Sequence, residues 1–129
     1  MLRLFTRRRA RKATNHRLTT RPDLARPGWQ ALYAENIPPA IVDFVLDSFE
    51  GYSGINFARV RPFDRMEADL QFSAACFADW DLDLYEDFEH RFGRDLRNCG
   101  LPKGDLTVDG WIRLIAACAT EGREGLRID

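Results

Sequence analysis

The sequence predicts a small all-α helical bundle, and three observations carry that prediction. Apolar residues recur at i, i+3, i+4 and i+7 in three separate stretches, the spacing of amphipathic helices. No stretch sustains the period-two alternation of a half-buried strand, and no segment repeats. Glycine, proline and capping residues mark the ends of the three stretches. A chain of 129 residues with 45% hydrophobic and 30% charged residues holds one domain of ordinary globular composition.

The net charge of -1 conceals an asymmetry. Residues 1–22 contain seven Arg, one Lys and no acid, which leaves the other 107 residues at -9. Residues 1–27 therefore read as a flexible basic arm. Arg7, Arg8, Arg9, Arg11 and Lys12 repel one another, apolar residues are few, and Pro22 and Pro27 interrupt helix. Such an arm has the chemistry to hold nucleic acid or an anionic surface, and equally that of a solvated tail or one folding back onto the acidic body.

Residues 28–122 read as the helical domain. Trp29, Leu32 and Tyr33 stand at i, i+3 and i+4, which predicts a helical turn or two docked on the core. Pro39 suits a first helical turn, and Ile41, Val45, Phe49 and Tyr52 form a stripe widened by Val42, Phe44 and Leu46. Gly51 and Gly54 mark the end of this helix, over about residues 39–52. A structureless connection over 53–76 would be unusually long, so Ile55, Phe57, Val60 and Phe63 are expected to pack it down. Asp64-Arg65-Met66-Glu67 has the spacing of a capping box. The central helix spans about residues 77–92. Phe77, Trp80, Leu84, Tyr85, Phe88 and Phe92 lie on its core side, Asp79, Asp83, Glu86, Asp87 and His90 on the other, and Gly93 at its C-cap. Thr107 is a fitting N-cap for the last helix, which buries Val108, Trp111, Ile112, Ile115 and Ala119 and closes at Gly122. Residues 123–129 are left as a C-terminal tail.

Three motifs in this order resemble an acyl carrier protein: Asp69-Leu70 ahead of the central helix, the run Leu84-Tyr85-Glu86-Asp87-Phe88-Glu89-His90-Arg91-Phe92-Gly93, and Leu106-Thr107-Val108-Asp109-Gly110-Trp111-Ile112 opening the last helix. The resemblance covers roughly residues 37–120. It implies an acyl-carrier-like bundle of three main helices, with a long first loop and an acidic second helix. The family attaches phosphopantetheine to the serine of an Asp-Ser-Leu, and no such tripeptide occurs here. The corresponding position falls near Ala78, and the connection before the helix is about four residues longer. The chain therefore resembles divergent bacterial carrier-like families that lack the serine. Ser73 is the one nearby residue that a carrier could modify, making phosphopantetheine an alternative cofactor and not the expected one.

By this resemblance, Asp79, Asp83, Glu86 and Asp87 imply a docking face for a protein partner with a basic surface; a solvated helix face accounts for the same pattern. The expected function is a non-catalytic interaction domain, with a carrier modified on Ser73, or nucleic-acid binding through the Arg-rich arm, as alternatives. No enzyme is expected. His16 and His90 are unpersuasive bases, the carboxylates show no paired-acid arrangement, and the glycines form no phosphate loop. Cys76, His90 and Cys99 lack zinc-site spacing, so no metal is expected. Three cysteines cannot all pair, which favours free thiols and a reduced, cytoplasmic setting. No apolar run approaches the ~20 residues of a membrane span, and Met1-Leu2-Arg3-Leu4-Phe5 lacks a secretory apolar region.

Overall fold

The structure is a computed structural model that describes the backbone of residues 2–76 and 79–128 and the side chains of residues 6–76 and 79–120. Helices α1 (Leu2–Leu18), α2 (Arg26–Leu32), α3 (Pro39–Ser53), α4 (Phe72–Ala75), α5 (Trp80–Phe92) and α6 (Val108–Ile128) are joined by loops and two 3-10 turns, Phe57–Arg59 and Leu96–Cys99. Among the described residues there is no strand; a single antiparallel bridge joins Arg65 to Thr107. The all-α bundle expected from periodicity is thus present.

The helix boundaries follow from local chemistry. Pro39 starts α3, and Gly54 ends it in the left-handed region, with φ 72°. Gly54 meets a second requirement. A Cβ there would stand 2.5 Å from Cδ of Arg11, so a larger residue would also displace the Arg11 side chain. Gly93 (φ 73°) ends α5 in the same way. The Thr107 hydroxyl accepts from the Gly110 amide at 3.0 Å, the N-cap bond that satisfies an orphan donor of α6.

Phe49 of α3 is the hub of the core. Its ring lies 5.1 Å from Phe72, 5.7 Å from Trp111, and 6.2 Å from both Phe57 and Trp80. Val42, Val45 and Leu46 of α3, Leu84 and Phe88 of α5, and Val108, Ile112 and Ile115 of α6 are buried with it. At ~1.5–3 kcal/mol for each large apolar side chain buried, this cluster is the main stabilising term. Ile55, Phe57 and Val60 pin the long connection to it, as expected.

Several expectations are corrected. Residues 2–18 are not an arm but a helix. Ala10, Thr14 and Leu18, at i, i+4 and i+8, are buried against α4 and the turn before it. The Thr14 hydroxyl donates to the Leu70 carbonyl at 2.8 Å, and Arg17 donates to the Asp69 carbonyl at 2.8 Å. Asn15 donates to the Gly54 carbonyl and accepts from the Asn56 amide. Charge repulsion between neighbouring arginines is outweighed because the opposite face of the helix is anchored to backbone. Asp64 makes no capping box. It is buried and accepts from both guanidinium Nη atoms of Arg21, at 2.6 and 2.9 Å, and from the Arg61 amide at 2.8 Å. Phe63 and Leu32 point outward instead of packing down (69% and 56% exposed). Helix α6 continues past Gly122 to Ile128, so residues 123–128 extend the helix. Cys99 and Cys118 form a disulfide joining the second 3-10 turn to α6, their Cα atoms 5.6 Å apart, while Cys76 is free and buried. The expectation of free thiols throughout fails because folding brings together two cysteines whose sequence spacing gives no sign of pairing.

Candidate functional site

Two helical faces of opposite charge stand on the surface, and each exists because the other side of its helix is committed to the interior. On α5, Leu84 and Phe88 are fully buried, and Trp80, Tyr85 and Phe92 are partly buried against the same core. Helical geometry then turns Asp79, Leu82, Asp83, Glu86, Asp87 and His90 together toward solvent, and all six are exposed. The structure thus brings Asp79, Asp83, Glu86 and Asp87 onto one surface. Ala78, the position corresponding to the carrier serine, and Phe77 lie outside the described residues.

Leu82 was missed by the sequence reading. It is 54% exposed and sits beside Asp79, Glu86 and Asp83 on the acidic face. An unpartnered leucine among carboxylates is a mixed apolar and acidic surface, and the signal for it was its place outside the Leu84/Phe88 stripe. Among the described residues no Lys, Arg or His forms an ion pair with an α5 carboxylate. Asp87 accepts a hydrogen bond from the Tyr52 hydroxyl at 2.5 Å. Burial, then that hydrogen bond and the charge of Asp87, push the Tyr52 hydroxyl pKa up, keeping it a donor. Asp79 itself has φ 66°, a left-handed conformation that aspartate tolerates better than most residues, and its carbonyl accepts from Leu82 and Asp83 amides.

Ser73, the alternative attachment residue, is exposed on the single turn of α4. Its hydroxyl donates to Glu67 at 2.5 Å and accepts from Trp80 Nε1 at 3.3 Å. The two hydrogen bonds hold the hydroxyl in place, 7 residues ahead of the start of α5.

The second face belongs to α1. Arg8, Lys12 and His16 follow at i, i+4 and i+8 on the side away from Ala10, Thr14 and Leu18, with Arg9 next to them; all four are exposed. Arg8, Arg11, Lys12, Asn15, His16 and Thr19 line a shallow depression of about 540 Å³. Among the described residues no carboxylate pairs with Arg8, Arg9, Arg11 or Lys12, whereas Arg21, Arg26 and Arg59 further along are all paired.

Cys76 is buried, and burial and the charge of Glu67 push its thiol pKa far up, away from the reactive thiolate. Among the described residues no group of three or more His, Cys, Asp or Glu side chains could hold a metal ion. No helix among them is long and apolar enough to cross a membrane. Compared with protein-family models, curated proteins and solved structures, the chain matches none.

Proposed function

We propose that this chain is a non-catalytic, acyl-carrier-like interaction domain that docks a basic protein partner through the outer face of α5. The observation that supports this reading most is Leu82, exposed among Asp79, Asp83 and Glu86 on a helix whose folding requirements are met by its opposite face. The leucine supplies apolar area to bury on contact, and the carboxylates supply steering toward a basic surface. The order of helices and the resemblance of residues 37–120 to acyl carriers are consistent with the same use of this helix.

The test compares Asp83→Lys and Leu82→Ala with the wild-type chain in quantitative pull-downs. Both substitutions should leave the melting temperature nearly unchanged, since neither side chain is buried. A partner captured by the wild type should be lost from both variants, and its capture should weaken as salt rises. Equal capture by all three proteins would refute the reading. The second reading, a carrier, keeps Ser73, whose hydroxyl is exposed and close to α5. Intact mass after co-expression with a phosphopantetheinyl transferase separates the two. A mass gain equal to one phosphopantetheine, absent from Ser73→Ala, would establish the carrier.

A further inference from the structure

The geometry points to a second binding surface: the outward face of α1 is a docking site for the phosphate backbone of duplex nucleic acid, recognised without regard to sequence. Arg8, Arg9 and Lys12 are exposed on this face with Arg11 at its edge, and none has a carboxylate partner among the described residues. Elsewhere five arginines are paired with carboxylates, Arg21 with Asp64, Arg26 with Asp43 and Asp47, Arg59 with Asp23, Arg97 with Asp95, and Arg113 with Asp109, while Arg61, Arg65, Arg91, Arg94 and Lys103 are spread over separate loops and helix ends. Among the described residues, Arg8, Arg9, Arg11 and Lys12 of α1 form the densest run of cations without a carboxylate partner.

The helix is held rigidly enough to present that charge in order. Thr14, Asn15 and Arg17 hydrogen-bond to the backbone at Leu70, at Gly54 and Asn56, and at Asp69. Arg21, just beyond its end, is tied to buried Asp64. Successive i, i+4 side chains are spaced by ~6 Å along the axis, so Arg8, Lys12 and His16 form a row and not a cloud of charge. A surface already ordered spends little conformational entropy when it binds.

The chemistry of the face decides among anionic partners. A helix that lies in a lipid surface needs an apolar side to bury there. Among the described side chains of α1, the apolar side, Ala10 and Leu18 with Thr14, is already buried in the protein. Single-stranded nucleic acid is held by bases stacked on aromatic rings, and the described side chains of α1 include no Phe, Tyr or Trp. The long basic side chains of α1 have the chemistry to meet phosphates, contacts that carry no sequence information. The acidic face of α5 repels phosphate.

About four phosphate contacts, by Arg8, Arg9, Arg11 and Lys12, give a slope of about -3.6 in log K against log salt, or about 150-fold weaker binding at 200 mM than at 50 mM. Fluorescence anisotropy of the full chain with a short mixed-sequence DNA duplex reads this directly, and a scrambled duplex and an RNA duplex should bind comparably. Arg8→Glu/Arg9→Glu/Lys12→Glu should abolish binding. If that variant does not fold, Arg8→Gln/Arg9→Gln should flatten the slope by about two. Asp83→Lys should leave duplex binding in place, so failure here is distinguishable from failure of the α5 docking reading. Duplex binding unaffected by the α1 substitutions, a slope near zero, retention on phosphatidylserine vesicles but not on duplex, or salt-sensitive self-association without duplex binding would each overturn the proposal.

Discussion

Replacing Arg21 by methionine tests how α1 is held. The Asp64 side chain is 3% exposed and that of Arg21 is 31% exposed, so the carboxylate depends on this guanidinium while the guanidinium still meets water. The hydrogen bond to Asp64, more than the attraction of its charge, pushes the Arg21 pKa up, and burial opposes it. Arg21→Met keeps the stem but leaves Asp64 buried with the Arg61 amide as its remaining donor. Breaking a fully buried pair costs ~3–5 kcal/mol; partial exposure of Arg21 reduces the expected loss to about 2–4 kcal/mol. A domain of this size has ~5–15 kcal/mol of stability, so the variant should still fold. Urea denaturation at neutral pH measures the difference. Arg21→Met/Asp64→Asn should recover at least ~1 kcal/mol relative to the sum of the single changes, because the orphaned charge is gone. Hydrogen exchange should quicken across residues 14–18 more than in α3. A loss under ~0.5 kcal/mol, or exact additivity in the double variant, would refute the assignment of this pair as the anchor of α1.

Two further outcomes are expected. The Cys99–Cys118 bond closes a loop with a sequence separation of 19, for which chain entropy predicts a contribution of about 3 kcal/mol. Cys99→Ser should lower the urea midpoint accordingly and be insensitive to reductant, and a wild-type midpoint equal to that of the variant without reductant would refute the pairing. In an alkaline titration followed by phenolate absorbance, Tyr33, Tyr52 and Tyr85 should all resist ionisation near the ordinary pH of ~10. Burial is the first cause in each, followed by hydrogen bonds to Asp109 for Tyr33 and to Asp87 for Tyr52, and by the charge of Asp81 for Tyr85. Their raised folded-state pKa values stabilise the fold fully below pH ~10, and that contribution is lost as pH rises toward those values. Phenolate should therefore appear together with unfolding; smooth titration of all three in the folded protein near pH ~10 would contradict the burial.

Elements held by apolar stripes were legible in the sequence. The Val45/Phe49 stripe, Pro39 and Gly54 defined α3 closely, Leu84, Phe88 and Gly93 defined the end of α5, and Thr107 defined the start of α6. What docks by polar contacts was not legible. The inner face of α1 is Ala10, Thr14 and Leu18, too small and polar to register as a stripe, and its affinity for the core lies in hydrogen bonds to residues more than 35 positions away. The spacing i, i+4, i+8 of those three residues, ended by Pro22, was the available signal. Asp64 failed for a related reason: its capping-box spacing is local, whereas its partner, Arg21, lies 43 residues earlier. The acidic face of α5 was readable because it is the complement of an apolar stripe. Leu82 was not, since an exposed leucine looks in sequence like any other.

Folding α1 onto the body changes what the charge asymmetry means. On a flexible arm, eight cations can collapse onto the acidic remainder of the chain and cancel. Fixed by Thr14, Asn15 and Arg17, and by Arg21 just beyond its end, the helix turns Arg17 onto the protein itself and keeps Arg8, Arg9 and Lys12 outward. The same anchors hold the 54–76 connection, because Thr14, Asn15 and Arg17 donate to carbonyls at Leu70, Gly54 and Asp69, and Arg21 donates to the Arg59 carbonyl and the Asp64 carboxylate. That connection leads directly into α4 and α5. Anchoring the basic helix and positioning the acidic one thus depend on the same hydrogen bonds. A substitution such as Arg21→Met should loosen both charged faces together, whereas Asp83→Lys and Arg8→Glu act on one face each.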